Sequence, residues 1–124
     1  MKAISIHQPW AHLVVAGLKL VENRTWRTHY RGPLVIHASA RAPDEAVVDY
    51  IARRHGIIVP RDRLLCGGLV GIVELVDVVT TSPDPYFEGP FGWVLRAARI
   101  VTFRPWRGRQ GLFEIPEAEI RLIP

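Results

Sequence analysis

Lys19, Glu22 and Arg24 are the side chains of this sequence best suited to chemistry, because three charges fall within one short segment. A lysine that is moved out of water loses its proton more readily and can act as a base or a nucleophile, whereas a neighbouring carboxylate keeps it charged. An arginine adds a rigid fork of donors that suits phosphate. The segment therefore predicts a reactive or binding cleft or, alternatively, a salt bridge that only orients a strand.

The elements around this segment decide where its charges point. A helix is predicted to begin near Pro9 and to end at Gly17, since the apolar residues between them have helical spacing. Lys19 follows the end of that helix. A strand over residues 21–26 would send its glutamate, its arginine and Trp26 to one face. We therefore predict one surface lined by an acid, a guanidinium and an indole, with the lysine ammonium at its mouth.

Tryptophan and arginine together indicate a second property, the ability to bind nucleic acid. The chain has four tryptophans, and because Lys2 and Lys19 are its only lysines, 14 of its 16 lysines and arginines are arginine. Bases stack on indoles, and guanidinium groups contact backbone phosphates. Trp106, which arginines flank, is the best candidate for an exposed stacking residue, although it could instead cover one end of a barrel. Trp26 suits a stacking platform and a core position equally. The arginine-rich composition has an alternative explanation, because codon usage or adaptation to heat also produces it.

Composition limits the partners and cofactors that we expect. The net charge of +4 and the pI of about 9.8 make an anionic partner plausible. Cys66 is the only cysteine, which excludes an intramolecular disulfide and favours a cytoplasmic protein. The five histidines form no close metal-binding pair, and neither a nucleotide-binding glycine motif nor the nucleophile elbow of a Ser-His-Asp hydrolase is present. We expect no metal, no cofactor, no signal peptide and no membrane span.

The pattern of strands and helices predicts the fold class. At 124 residues the chain is expected to form one domain, residues 1–124. Strands are predicted at residues 3–6, 21–26, 33–39, 67–81, 91–95, 100–103 and 111–115, and helices near residues 9–17 and 43–56. Five to seven short strands, with two helices inserted early, favour a compact α+β barrel over a parallel βαβ sheet.

Two stretches of the N-terminal third carry a family resemblance. They read Ser5-Ile6-His7-Gln8-Pro9-Trp10-Ala11 and Gly17-Leu18-Lys19-Leu20-Val21-Glu22-Asn23-Arg24, and Arg31-Gly32 follows them. The second stretch fills every position of the motif G-x-K-x-x-E-x-R. The sequence thereby resembles the activating signal cointegrator homology (ASCH) domain, and looser matches through Gly68–Val79, Gly92–Leu95 and Gly111–Phe113 extend over most of the chain.

The resemblance implies a PUA-like fold, a small β-barrel with helices packed at its openings and a cleft where the motif residues gather. Members of the family are thought to bind nucleic acid. One bacterial branch hydrolyses the N-acetyl group of N4-acetylcytidine with the motif lysine and a threonine three residues later, and another branch cleaves RNA. The lysine corresponds to Lys19, but Glu22 stands where the threonine would be.

Two hypotheses follow from the residues and the resemblance. The first is a domain that binds RNA or single-stranded DNA, and the second is a small amidohydrolase or ribonuclease that acts on a nucleoside or RNA; the sequence leaves open whether the chain is an enzyme. The side chains expected to contact nucleic acid are Lys19, Glu22, Arg24, Trp26, His29, Arg31, Arg104, Trp106, Arg107 and Arg109. In an enzyme, Lys19 would be the general base or electrostatic stabiliser, and Glu22 would activate water.

Overall fold

A computed structural model describes residues 1–124, and its six strands form one mixed sheet. The elements are β1 (Lys2–Ile6), α1 (Trp10–Val15), β2 (Val21–Arg24), β3 (Gly32–Ala38), α2 (Glu45–His55), β4 (Gly68–Val79), β5 (Phe91–Pro105) and β6 (Phe113–Glu114). The strand order is β2-β5-β4-β3-β1-β6, in which β1 and β3 are parallel and the other pairs are antiparallel. The α+β class, the number of strands and the two main helices are therefore confirmed. Neither helix has the length and apolar character needed to cross a bilayer.

β5 differs from the prediction, because residues 91–95 and 100–103 belong to one strand of 15 residues. Its pairing with β4 shifts register three times, and Ala97 lies within it at a φ of 55°. Such irregularities bend a strand without ending it. The residues between the two predicted strands, Arg96–Arg99, break the apolar alternation in the sequence although the backbone ladder continues through them.

The predicted barrel is not closed by a backbone ladder. The two edge strands, β2 and β6, have four and two residues and do not pair with each other. A side chain makes a link across this open side instead: Arg24 Nη2, at the end of β2, donates to the carbonyl oxygen of Ser5 in β1 over 2.8 Å. The edge strands are too short to supply a ladder, so one arginine connects what a closed barrel would join by main chain.

The sheet is covered on both faces. Leu34 and Ile36 of β3 pack in one buried cluster with Val14 of α1, whereas Val35 between them packs with Phe113 of β6 in another. Alternate side chains of a strand point to opposite faces, so this division places α1 on one face and the C-terminal part of the chain on the other. The burial of both parities agrees with the apolar sequence of these strands.

α1 packs very closely against β4, and this contact sets the position of the segment that follows the helix. A Cβ added at Gly71 would lie 2.3 Å from Val15 Cγ1 and 2.8 Å from the carbonyl oxygen of Arg99. Only a glycine leaves this space to the helix. Because Lys19 N donates to Leu13 O over 3.0 Å, the segment after α1 is tied to the helix.

α2 follows the boundaries that its sequence predicts. The Asp44 side chain accepts a hydrogen bond from Ala46 N over 2.8 Å at the N-terminus, and Gly56 ends the helix at a φ of 69°. Its buried residues, Val48 and Ile51, join a cluster with Leu13 of α1. This packing brings the C-terminal end of α2 towards the region of Lys19.

Candidate functional site

The three charges of the motif form an internal ion network with Glu22 at its centre. Lys19 Nζ donates to Glu22 Oε1 over 2.7 Å, and Arg24 Nη2 lies 3.4 Å from Glu22 Oε2. The side chains of Lys19, Glu22 and Arg24 are 4%, 12% and 22% exposed. Glu22 thus divides its two oxygens between two cations, and the ion pair that the sequence left as an alternative is present.

A groove of about 970 Å³ lies beside Arg24, at the open side of the sheet. Arg24 and Trp26 reach it from β2 and the bend that follows, and Trp106, Arg107 and Arg109 reach it from the segment after β5. The complete lining is Ile4, Ser5, His7, Arg24, Trp26, His37, Ser39, Ala40, Gly67, Trp106, Arg107, Gly108, Arg109, Gln110, Gly111 and Leu112. The groove therefore has three arginines and two tryptophans, and no acidic side chain lines it.

A second, smaller cavity of about 220 Å³ lies on the other side of the ion network. Lys19, Glu22, Trp10, Asn23, His55, Tyr86 and Glu88 line it. His55 stacks on Tyr86 with ring centroids 3.9 Å apart, and Lys19 Nζ lies 5.5 Å from the centre of the Trp10 ring. Burial, together with the nearby charge of Arg54, lowers the pKa of His55 from its ordinary value. An imidazole and two carboxylates therefore face this cavity beside the lysine.

The structure brings together only part of the predicted site. Arg24, Trp26, Trp106, Arg107 and Arg109 line the groove, whereas Lys19 and Glu22 line the smaller cavity. The groove thus holds five of the ten predicted residues. The predicted single cleft is thus replaced by two cavities, one lined by Lys19 and Glu22 and the other by Arg24, and the contact between Glu22 and Arg24 connects them.

The remaining predicted residues lie outside both cavities. Arg31 donates to the carbonyl oxygens of Thr28 and Tyr30, and Arg104 is paired with Glu119. His29 is exposed in the loop before β3. None of the three contributes to the lining of the groove or of the smaller cavity.

Trp26 and Trp106 are both half-buried, so neither is a fully exposed platform or a fully buried core residue. Trp26 packs edge-on against the fully buried Trp93, with ring centroids 4.8 Å apart, and Trp93 Nε1 donates to Trp26 O over 3.3 Å. Trp106 packs against the cluster that contains Phe113. Each indole therefore combines a supporting contact in the core with a place in the groove lining.

Sequence reasoning missed four polar residues on the groove floor. Ser5 and His7 alternate on and just after β1, and His37 and Ser39 do so on and just after the adjacent strand β3. Ser5 Oγ lies 2.9 Å from His37 Nδ1, and His7 Nδ1 lies 2.7 Å from Ser39 Oγ. Their spacing of two residues on neighbouring strands was the available signal, but the parallel pairing of β1 with β3 had to be known first.

Most of this chain is similar in sequence to known proteins. The family model described as ASCH domain matches residues 4–90. "Activating signal cointegrator 1" of Homo sapiens is 37% identical over 82 residues, which cover 62% of this chain and 14% of that protein. The Mus musculus protein of the same name is 35% identical over 82 residues, with the same coverage of 62% and 14%. The chain thus spans about a seventh of the length of these curated relatives.

Solved structures agree with the fold. A crystal structure of ASCH from Zymomonas mobilis superimposes with a TM-score of 0.59 at 16% sequence identity, covering 95% of this chain and 89% of that one. A point-substituted form of the same protein gives a TM-score of 0.58 at 16% identity, with coverage of 95% and 89%. At this identity the likeness supports the fold alone. Since the family model matches well over half of the chain, the chain belongs to the ASCH domain family.

Proposed function

We propose that this ASCH domain binds single-stranded nucleic acid, RNA or DNA, in the groove at the open side of the sheet. The observation that supports it is the meeting of two tryptophans and three arginines in a groove that no acidic side chain lines. These are the two residue types that hold single strands, by stacking on bases and by contact with phosphates.

The arginines of the groove differ in how free they are to bind phosphate. Arg107 and Arg109 take part in none of the salt bridges of the chain, in contrast to Arg104 with Glu119. Arg24 is held by Ser5 O and Glu22 and is 22% exposed. Arg107 and Arg109 therefore supply exposed positive charge without an ion-pair partner, and Arg24 supplies a guanidinium that is already held in place.

The dimensions of the groove favour a single strand over a duplex. Its volume of about 970 Å³ lies at the upper end of ligand pockets, which measure roughly 300–1,000 Å³. Bases that stack on Trp26 or Trp106 must leave their own base stack, and single strands give up this stacking at least cost.

The single cysteine, Cys66, is a free thiol, which supports the cytoplasmic setting that the sequence predicts.

Replacing Arg107 by glutamine is expected to reduce the salt dependence of binding. Each phosphate contact contributes about 0.7 to the slope of log affinity against log salt concentration for single strands. We expect Arg107→Gln to lower the slope by about that amount, measured by fluorescence anisotropy with a labelled mixed-sequence oligonucleotide between about 50 and 200 mM salt.

Arg104→Gln is the matched control for this measurement. It removes the same charge from a nearby position at the end of β5, but Arg104 is paired with Glu119 and lies outside the groove lining. We expect its slope to stay closer to that of the unsubstituted chain. Equal slopes for the two variants would mean that only net charge matters, and the groove would not be the binding site.

A second candidate function is hydrolysis of a modified nucleoside in the smaller cavity. It is favoured by the position of Lys19 and Glu22 in the lining of a cavity of about 220 Å³, where the buried hydroxyl of Tyr86 has no hydrogen-bond partner in the protein. In this candidate function Lys19, paired with Glu22, stabilises negative charge on a reacting carbonyl, and Glu22 or Glu88 accepts a proton from water.

Incubation with N4-acetylcytidine tests this second candidate. If it holds, acetate is released, and Glu88→Gln, which leaves the Lys19–Glu22 pair intact, slows the release by about 10²-fold or more, as loss of a general base does. Glu117→Gln, a change of the same type at an exposed residue outside both cavities, serves as the control. Release of acetate that is equal in all three proteins would exclude Glu88 from catalysis, and no release from any would exclude the reaction.

A further inference from the structure

A side chain from the sheet connects the groove floor to the segment that carries the groove's stacking and cationic residues. His37 is 1% exposed, and its Nε2 lies 2.7 Å from the carbonyl oxygen of Trp106. A carbonyl oxygen can only accept, so Nε2 carries the proton of this hydrogen bond. In the neutral ring Nδ1 is then an acceptor, and the hydroxyl of Ser5, 2.9 Å away, donates to it. The tautomer of His37 is thus set by the main chain of the segment it contacts.

This contact lies at the point where the segment leaves the sheet. The last pair of the ladder between β4 and β5 is Gly68 with Pro105, and the amide of Trp106 donates to Gly67 O over 3.0 Å. Beyond that bond, His37 holds the carbonyl group of the same residue. Trp106 is therefore fixed through both its amide and its carbonyl. This fixes the position of the main chain from which Arg107 and Arg109 extend.

Gly108 packs against the same imidazole. A Cβ added there would lie 2.7 Å from His37 Cε1, 3.0 Å from His37 Nδ1 and 3.2 Å from Ser5 Oγ. Because the histidine ring is buried and held at both nitrogens, it cannot yield to a methyl group. The glycine thus brings the main chain between Arg107 and Arg109 into contact with the groove floor.

We propose that His37, supported by Ser5 and covered by Gly108, is the positioning residue that sets Trp106, Arg107 and Arg109 for binding in the groove. This inference rests on the proposed function and adds to it a residue that need not touch the ligand. Its distinctive consequence is that a neutral substitution at His37 changes the number of phosphate contacts, although no charge is removed.

Substituting His37 by asparagine or by glutamine tests the two hydrogen bonds of the imidazole one at a time. The amide of asparagine occupies the place of Nδ1 and that of glutamine the place of Nε2, so His37→Asn keeps the bond to Ser5, and His37→Gln keeps the bond to Trp106. We expect His37→Asn to lower the salt slope of oligonucleotide binding by about 0.7–1.4, the loss of one or two phosphate contacts. His37→Gln is expected to remain close to the unsubstituted chain.

Hydrogen–deuterium exchange of residues 105–112 gives a second readout that needs no ligand. Faster exchange confined to this segment is expected in His37→Asn and not in His37→Gln. Gly108→Ala, which leaves His37 in place, is expected to show the same faster exchange and the same reduced salt slope. If His37→Asn fails to fold, Gly108→Ala replaces it in both measurements.

Each outcome bears on one proposal. If His37→Asn and Gly108→Ala retain the exchange pattern and the slope of the unsubstituted chain, the positioning role is wrong. If His37→Gln loses as much slope as His37→Asn while both remain folded, the bond to Trp106 is not the one that matters, and the inference is also wrong. If the unsubstituted chain binds no oligonucleotide, the proposed function fails, while the exchange measurement still decides whether His37 positions the segment.

Discussion

Replacing Glu22 by glutamine is expected to lower the free energy of unfolding by about 3–5 kcal/mol, the usual cost of removing one partner from a buried ion pair. Glu22 is 12% exposed and Lys19 is 4% exposed, so the substitution leaves the lysine charge almost without solvent and without its carboxylate. Arg24 loses its contact with the same carboxylate. Urea unfolding followed by tryptophan fluorescence measures the change.

Two further variants show whether burial is the reason. Lys19→Met combined with Glu22→Gln removes the uncompensated charge, so the double variant should recover part of the stability lost in Glu22→Gln. Glu114→Gln removes the carboxylate of an exposed pair in which Lys2 Nζ lies at the same distance of 2.7 Å, and exposed pairs contribute little. Similar losses in Glu22→Gln and Glu114→Gln would contradict an effect of burial.

Replacing Trp106 by leucine is expected to weaken oligonucleotide binding by roughly 5- to 150-fold, the equivalent of the 1–3 kcal/mol that one stacked base contributes. Leucine keeps an apolar contact with the cluster beneath Trp106 but offers no aromatic face. The change should appear in the affinity at every salt concentration and leave the salt slope nearly unaltered, because no phosphate contact is lost.

Trp10→Leu is the matched control for the stacking prediction. Trp10 is also half-buried and lines a cavity, but that cavity is the smaller one beside Lys19. Its replacement should leave the affinity of the groove unchanged. A loss of affinity in Trp10→Leu as large as that in Trp106→Leu would place the binding site near Lys19 instead of in the groove.

Local signals in the sequence were enough for much of the fold. α2 lies within the range predicted for it, residues 43–56, and ends at Gly56, whereas Asp44 caps the helix just before its first turn. The buried position of Trp93 follows from its apolar strand, and it is 0% exposed. These features depend on neighbours along the chain, and a single sequence contains that information.

The candidate site was predictable only in part, because long-range pairing decides it. Glu22 and Arg24 lie on one strand with the parity that predicts a shared face, yet they line different cavities. What separates them is the burial of Lys19 behind α1 and the reach of Arg24 across the open side of the sheet to Ser5. Likewise, Trp106 and Ser5 of β1 are far apart in the sequence. They come together only because His37 of the neighbouring strand β3 contacts both of them in the folded sheet.

The central position of Glu22 makes the two cavities one electrostatic unit. Its Oε1 binds the cation of the smaller cavity and its Oε2 faces the cation of the groove, so one negative charge is shared by two neighbours that compete for it. If a molecule in the smaller cavity drew Lys19 away, the carboxylate would be left to Arg24, and a phosphate bound to Arg24 would leave it to Lys19. Any such coupling between the two cavities would be reciprocal, so that each ligand would change the affinity of the other by the same factor.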